Sequence, residues 1–121
     1  MKILLVDDSV QDSRVYTSVL RNNGYDTVVA QNGIEALSVL EEQEIAMVFL
    51  DLVMPVMRGQ EFLSILRGNK KYDQIPIVVM SSNKNMDEVM TLMEEEGAQE
   101  FLHKPLRPID MINAIKKFLK E

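Results

Sequence analysis

The sequence predicts a doubly wound α/β domain, in which helices cover both faces of one parallel sheet. Short apolar runs alternate with segments of helical spacing along the whole chain, which is typical of successive βα units. Several of these runs are continuous and rich in β-branched residues, as expected of parallel strands buried on both faces. Five such units in 121 residues indicate a single domain, and right-handed crossovers place the helices on both sides of the sheet.

The boundaries of the predicted helices are marked by residues that favour helix ends. Ser9 can cap the first helix and Gly24 can end it, the turn Asn32-Gly33 opens the second, and Gly97 ends the fourth. The strands are assigned to residues 3–6, 27–30, 45–50, 77–80 and 101–102. Apolar residues at helical spacing mark the five helices: Val15, Val19 and Leu20; Ile34, Leu37 and Leu40; Phe62, Leu63, Ile65 and Leu66; Met86, Val89, Met90 and Met93; and Ile112, Ile115, Phe118 and Leu119.

Composition and charge argue against several classes of function. The chain has no cysteine, which excludes disulfides and thiolate metal sites, and its single histidine argues against a Ser-His-Asp triad. Thirteen basic and nineteen acidic residues give a net charge of -6, which disfavours nucleic acid and anionic membranes as partners. No apolar run reaches the roughly 18 residues of a membrane span, and there is no signal-peptide pattern. The sequence therefore predicts a cytoplasmic protein.

The residues that can carry chemistry lie where the predicted strands end. Asp7 and Asp8 follow the first strand, Asp51 the third, Ser81 the fourth and Lys104 the fifth. Ligands of open α/β sheets bind outside the carboxyl ends of the strands, so these side chains are expected at one edge of the sheet. The sequence therefore predicts three carboxylates, a hydroxyl and an ammonium group in one site.

This combination is suited to phosphoryl chemistry with a metal ion. Three neighbouring carboxylates repel one another unless a cation intervenes, and Mg²⁺ is commonly held by one or two carboxylates together with a phosphate. A carboxylate can act as a nucleophile and form an aspartyl-phosphate, with Lys104 neutralising one side of the phosphoryl group. An acid at one strand end is more often a solvated loop residue, so the interpretation depends on all four strand ends fitting one chemistry.

Motifs at the same four strand ends resemble those of the response regulator receiver domain, the CheY-like family of two-component signalling. The motifs are Asp7-Asp8-Ser9, residues 50–59 (LDLVMPVMRG), Ser81-Ser82 and Phe101-Leu102-His103-Lys104-Pro105. The resemblance covers the whole chain and implies a flavodoxin-like, five-stranded parallel sheet in the order 2-1-3-4-5 with five helices. Residues 1–121 are accordingly expected to form one receiver domain.

The resemblance implies that Asp51 is the phosphoacceptor. Asp7, Asp8 and Asp51 would bind Mg²⁺ or Mn²⁺, with the backbone carbonyl of Val53 completing the protein ligands, and Lys104 would pair with the phosphoryl group. The chain would catalyse only its own phosphorylation and dephosphorylation, and would otherwise be a switch and not an enzyme.

The resemblance also implies a switch pair and two residues that set the phosphoryl lifetime. Ser81 would be the switch hydroxyl, where many members have threonine, and Phe101 the switch aromatic, where the chemotaxis members have tyrosine. Val53 and Asn83 occupy positions that tune phosphoryl lifetime, and neither side chain can act as a general base, so self-dephosphorylation is predicted not to be fast. A cis peptide bond is expected before Pro105. The residues with expected structural roles are Pro55, Gly59 and Pro105.

A phosphoryl donor and a downstream partner follow from the same resemblance. A histidine kinase or phosphotransfer protein would donate the phosphoryl group, and a protein would bind the face formed by the fourth helix, fifth strand and fifth helix. Neither direct nucleic-acid binding nor membrane insertion is expected. The chain is expected to be a monomer, with dimerisation on phosphorylation left open.

Two alternatives remain open. The chain could be a receiver domain cut from a longer response regulator or hybrid kinase. An aspartyl-phosphate phosphatase of another family, similar to the haloacid dehalogenases, fits less well, because its Asp-x-Asp motif follows the first strand whereas this chain has adjacent acids there. Such a phosphatase would turn over many phosphate esters, whereas a receiver takes up one phosphoryl group per chain.

Overall fold

Five strands alternate with five helices in the computed structural model, which describes residues 2–52, 59–82 and 86–119. The strands are β1 (Lys2–Val6), β2 (Asp26–Ala30), β3 (Met47–Asp51), β4 (Ile77–Ser81) and β5 (Glu100–His103). The helices are α1 (Val10–Asn22), α2 (Gly33–Glu42), α3 (Gly59–Arg67), α4 (Met86–Glu96) and α5 (Pro108–Phe118). None of the helices in these described segments is long and apolar enough to cross a bilayer.

All the strands pair in parallel, in the order β2-β1-β3-β4-β5. This confirms the predicted doubly wound α/β fold and its strand order. The register aligns the carboxyl ends of the central strands, since Val6 of β1 pairs with Leu50 of β3 and Asp51 pairs with Met80 of β4. Residues that follow these strands therefore meet at one edge of the sheet.

The strands differ in burial between the centre and the edges of the sheet. Residues 3–6 of β1 and every residue of β3 and β4 are buried, whereas β2 and β5 are only partly buried. The sequence predicts the fifth strand as residues 101–102, but β5 is longer because its ladder with β4 includes the polar residues on either side. The third strand begins two residues later than predicted and includes Asp51.

Two hydrophobic cores hold the sheet, one on each face. On one face the strands pack against α2 and α3 through Leu40, Phe62 and Leu66. On the other face they pack against α1 and α5 through Leu20 and Met111. Each large apolar side chain that is fully buried contributes about 1.5–3 kcal/mol to folding. The carboxyl ends of the central strands are thereby held from both sides.

Four apolar residues that mark the predicted helices are exposed in the structure, and one of them is Met90, with an exposed fraction of 49%. The other three, Val15, Ile34 and Ile65, have exposed fractions of 56%, 55% and 46%. The buried stripe of α1 contains Tyr16 and Leu20, which share a face because they are four residues apart. The predicted stripe of α1 is therefore displaced by one residue at its start.

The predicted ends of the helices agree with the observed caps. Ser9 and Asn32 each accept a hydrogen bond from the backbone N–H three residues later, at the starts of α1 and α2. Gly24 and Gly97 follow α1 and α4 with positive φ angles of 86° and 77°. This left-handed conformation favours glycine, because a Cβ atom would crowd the backbone.

Candidate functional site

Three carboxylates cluster at the carboxyl edge of the sheet. Asp7 and Asp8 directly follow β1, Asp51 is the last residue of β3, and one oxygen of each lies within 4.8 Å of the others. Asp7 and Asp51 are buried, with exposed fractions of 0% and 6%, whereas Asp8 is exposed. The structure thus brings together the three acids that the sequence singles out.

Asp7 is held rigidly by its surroundings. Its backbone N–H donates to the carbonyl of Ala30 on β2 at 3.0 Å. One side-chain oxygen, Oδ1, accepts a hydrogen bond from the backbone N–H of Ser9 at 2.9 Å, and Oδ2 accepts one from Lys104 at 2.8 Å. A buried carboxylate with both oxygens bonded has little freedom to turn, so Asp7 presents a fixed negative charge to the site.

Lys104 places its ammonium group among these carboxylates. The Nζ atom lies 2.8 Å from Oδ2 of Asp7, 3.2 Å from Oδ2 of Asp51 and 3.2 Å from Oδ2 of Asp12. A lysine ammonium group has three protons to donate, and each of the three carboxylates accepts a hydrogen bond from it.

The connection between β5 and α5 positions Lys104. Its backbone N–H donates to the carbonyl of Ser81 at 2.9 Å, which continues the pairing of β4 with β5 by one residue. The peptide bond between Lys104 and Pro105 is cis, as predicted. The backbone of this connection is therefore tied to the end of β4, beside the acidic cluster.

The ammonium group of Lys104 stays charged in this environment. Burial lowers its pKa, but the hydrogen bonds and the negative charges of Asp7 and Asp51 outweigh burial, so the pKa lies well above its ordinary value. A neighbouring opposite charge favours the charged form of a titratable group. Lys104 is thus a permanent positive charge in the site at neutral pH.

Asp12 is a member of the site that the sequence analysis does not identify. It lies in the first turn of α1, and α1 begins at the carboxyl edge of the sheet. Its side chain has an exposed fraction of 42%, compared with 8% for that of Asp51. The one sequence pattern that could have indicated Asp12 is an acid in the first turn of the helix that follows Asp7 and Asp8. Acids are common at that position because they complement the helix dipole, so the pattern is not specific.

Ser81 and Phe101 lie on neighbouring strands close to the acidic cluster. Ser81 ends β4 with an exposed fraction of 2%, directly after Met80, which pairs with Asp51. Phe101 of β5 pairs with Val79 and is half-buried against the core beneath α2 and α3. Residues two apart on a strand point to the same face, so the side chains of Ser81 and Phe101 lie on one face of the sheet.

Several predicted site residues cannot be placed in this geometry. Val53, Pro55 and Asn83 lie outside the described residues, and the predictions made for them stay predictions. Gly59 is the first residue of α3, and its predicted role in shaping the preceding loop also stays a prediction.

The acidic cluster fits a hard divalent cation. The ligand atoms of Asp7, Asp8 and Asp51 are all carboxylate oxygens, the type that Mg²⁺ and Mn²⁺ bind. Among the described residues of the site, one ammonium group contacts Asp7 and Asp51, whereas three carboxylates cluster there, so negative charge is in excess. Asp7, Asp8 and Asp51 are therefore the residues that would hold such an ion.

The fold and the site together define a CheY-like receiver domain of two-component signalling. Residues 3–116 match the family described as the response regulator receiver domain. The match spans almost the whole chain, and the chain belongs to this family.

Two curated relatives are plant response regulators. The chain is 35% identical over 119 residues to the two-component response regulator ORR7 of Oryza sativa subsp. japonica, covering 98% of this chain and 56% of that protein. It is 36% identical over 118 residues to ORR11 of Oryza sativa subsp. indica, covering 97% of this chain and 80% of that protein. The chain thus spans little more than half of one relative and most of the other.

Solved structures with the same fold come from different kinds of signalling protein. The chemotaxis protein CheY4 of Vibrio cholerae superposes with a TM-score of 0.91 at 29% identity, covering 98% of both chains. The signal receiver domain of a signal transduction histidine kinase from Syntrophus aciditrophicus gives a TM-score of 0.89 at 27% identity, covering 98% of this chain and 89% of that chain.

Proposed function

We propose that this chain is a phosphoacceptor that takes a phosphoryl group onto Asp51 in the presence of Mg²⁺ or Mn²⁺ and signals by binding a protein partner. The observation that carries the proposal is the ammonium group of Lys104 between Asp7 and Asp51 at the carboxyl edge of the sheet. Membership of the receiver family and the cluster of three carboxylates support it. The chain would catalyse only its own phosphorylation and dephosphorylation.

Asp51 is the best suited of the three clustered acids to act as the nucleophile. The side chain of Asp7 is fully buried. Asp8 is exposed, so water screens its charge. Asp51 has an exposed fraction of 6%, its backbone is held in the central strand β3, and its side chain contacts Lys104.

The transfer itself needs positioning and charge neutralisation more than acid–base chemistry. An oxygen of Asp51 forms a bond to phosphorus as the bond from phosphorus to the donor's imidazole nitrogen breaks, and the nitrogen keeps the electron pair. Lys104 neutralises charge on the phosphoryl oxygens, and a divalent ion held by Asp7 and Asp8 supplies further positive charge when bound. The donor is a histidine kinase or a phosphotransfer protein.

Ser81 and Phe101 would connect the phosphorylation site to the surface of α4, β5 and α5, where a protein partner would bind. The Ser81 hydroxyl would donate to a phosphoryl oxygen, and Phe101, on the same face of the sheet, would repack as Ser81 moves. The two packings would differ at the face of α4, β5 and α5, where the partner binds. A shift from 1:99 to 99:1 between two such states requires about 5.5 kcal/mol of differential stabilisation.

The proposal applies equally to a receiver within a longer protein. The chain covers only 56% of one response regulator that it resembles, and a receiver domain of a histidine kinase has the same fold. In either setting Asp51 would accept the phosphoryl group. By itself the chain would act as a monomer, with dimerisation on phosphorylation as the alternative, and would not bind nucleic acid directly.

The test is uptake of phosphoryl from acetyl phosphate with Mg²⁺, followed by intact-mass spectrometry. The expected result is one phosphoryl group per chain in the wild type and none in Asp51→Asn. The control Asp26→Asn, at the opposite end of β2 from the site, should keep full uptake. Equal uptake by Asp51→Asn would contradict the proposal, and continued hydrolysis of many phosphate esters would favour the phosphatase alternative.

A further inference from the structure

Lys104 has a third partner that the proposed function does not use. Asp12 Oδ2 lies 3.2 Å from Nζ, the same distance as Oδ2 of Asp51. Because the three protons of the ammonium group each go to a carboxylate, a phosphoryl oxygen can receive one only if an acceptor releases it. The identity of that acceptor determines which residue opposes phosphorylation.

The three acceptors differ in how easily they release the ammonium group. Asp7 is fully buried, and leaving a buried carboxylate without its cation is strongly unfavourable. Asp51 loses its negative charge when one of its oxygens is bonded to phosphorus, so in the phosphorylated protein it no longer competes for Lys104 as an ion. Asp12 has an exposed fraction of 42%, and water solvates its carboxylate when the ion pair opens, which makes exposed pairs weak. Of the two carboxylates that keep their charge, Asp12 therefore releases Lys104 at the lower cost.

We propose that Asp12 is a positioning residue that competes with the phosphoryl group for the ammonium group of Lys104. It holds Nζ in the unphosphorylated protein and releases it when Asp51 is phosphorylated, so the inference rests on the proposed function. The negative charge of Asp12 also repels the incoming phosphoryl group. Competition and repulsion act in the same direction, and both lower the occupancy of the phosphorylated form.

The structure offers a closely matched pair of variants to test this role. Asp12→Asn keeps the size of the side chain and the backbone N–H that donates to Ser9 Oγ. Glu35 occupies the equivalent position in α2, with its N–H donating to Asn32 Oδ1, and it makes no ion pair with another described residue. Glu35→Gln therefore removes the same charge from the same helix position without affecting Lys104, and it matches the loss of helix-dipole stabilisation.

The measurement is the affinity for beryllofluoride, a mimic of the phosphoryl group, by ¹⁹F NMR at saturating Mg²⁺. Asp12→Asn should bind it about 1.5- to 5-fold more tightly than the wild type, the range expected for one exposed ion pair. Glu35→Gln should bind it with wild-type affinity. Without beryllofluoride, the thermal midpoints should fall slightly in both variants and further in Asp12→Asn, which also loses the ion pair with Lys104. A purely structural role of Asp12 would lower stability and affinity together.

Unchanged or weaker binding in Asp12→Asn overturns the inference, and weaker binding would mean that Asp12 presents Lys104 to the phosphoryl group. Failure of the wild type to bind beryllofluoride or accept phosphoryl from acetyl phosphate overturns the proposed function and the inference with it. Wild-type binding without an effect of Asp12→Asn refutes the inference alone.

Discussion

Replacing Lys104 by methionine tests how far this one side chain stabilises the acidic site. Methionine retains most of the apolar stem and removes the ammonium group, which contacts Asp7, Asp12 and Asp51 in the wild type. Breaking a buried ion pair by removing one partner costs about 3–5 kcal/mol. We expect the loss of stability in Lys104→Met to lie below that range, because Asp7 keeps its hydrogen bond from Ser9 and the side chain of Asp12 is 42% exposed.

We therefore expect Lys104→Met to lower the free energy of unfolding by about 2 kcal/mol in EDTA at neutral pH. With a denaturant slope of about 1–3 kcal/mol per molar urea, the unfolding midpoint should fall by roughly 1 M. The matched control is Lys117→Met. Lys117 Nζ lies 3.8 Å from Oε1 of Glu100, and the side chain of Lys117 has an exposed fraction of 64%. Removing the Lys117 ammonium group should therefore cost under about 0.5 kcal/mol.

Mg²⁺ separates the electrostatic explanation from simple loss of packing. A cation bound to the folded state alone stabilises it by about 2.7 kcal/mol at one hundred times its dissociation constant. Mg²⁺ should bind Lys104→Met more tightly than the wild type, because the ammonium group no longer competes with it for Asp7 and Asp51, and it should therefore reduce the deficit in stability of the variant relative to the wild type. The reasoning is wrong if Lys104→Met unfolds at the same midpoint as Lys117→Met, or if Mg²⁺ leaves the deficit of Lys104→Met relative to wild type unchanged.

Three further predictions follow. The pKa of Lys104 is raised in the folded state, so its stabilisation is complete below the unfolded value of about 10.4 and is lost as pH rises through the folded value. The stability difference between wild type and Lys104→Met should thus shrink in urea titrations above about pH 10, and a difference that widens would contradict this. Arg67 donates to four carbonyls and to a glutamine oxygen in two connections, α3–β4 and α4–β5, so Arg67→Met should lower the free energy of unfolding by about 2–3 kcal/mol. Exposed Arg14→Met should leave the urea midpoint unchanged, and equal midpoints for the two variants would refute the estimate. Val53→Asn and Asn83→Glu should each speed acyl-phosphate decay, followed by loss of the phosphorylated mass, by giving the attacking water a polar partner; unaltered decay in both would refute the predicted role of these positions.

Patterns that depend on neighbouring residues are the most predictable part of this protein. The continuous runs of β1, β3 and β4 identify central strands because both faces of those strands are buried. Ser9 caps α1, and Gly97 ends α4 with a positive φ, because caps and turns depend on local backbone geometry. The predicted stripe of α1 was wrong at Val15 because hydropathy alone does not distinguish an apolar residue at the rim of a helix face from one in its centre.

The sequence alone was sufficient for the fold and for the meeting of Asp7, Asp8 and Asp51, since strand order and parallel pairing bring the ends of neighbouring strands together. The sequence also predicts Lys104 in this site, but its three hydrogen-bond partners and the participation of Asp12 emerged only from the tertiary structure. Asp12 and Lys104 are 92 residues apart in the chain, and their contact depends on how α1 and the β5–α5 connection pack around the sheet. No local pattern encodes that packing, because it results from two separate hydrophobic cores and the hydrogen bond between Lys104 and Ser81 acting together.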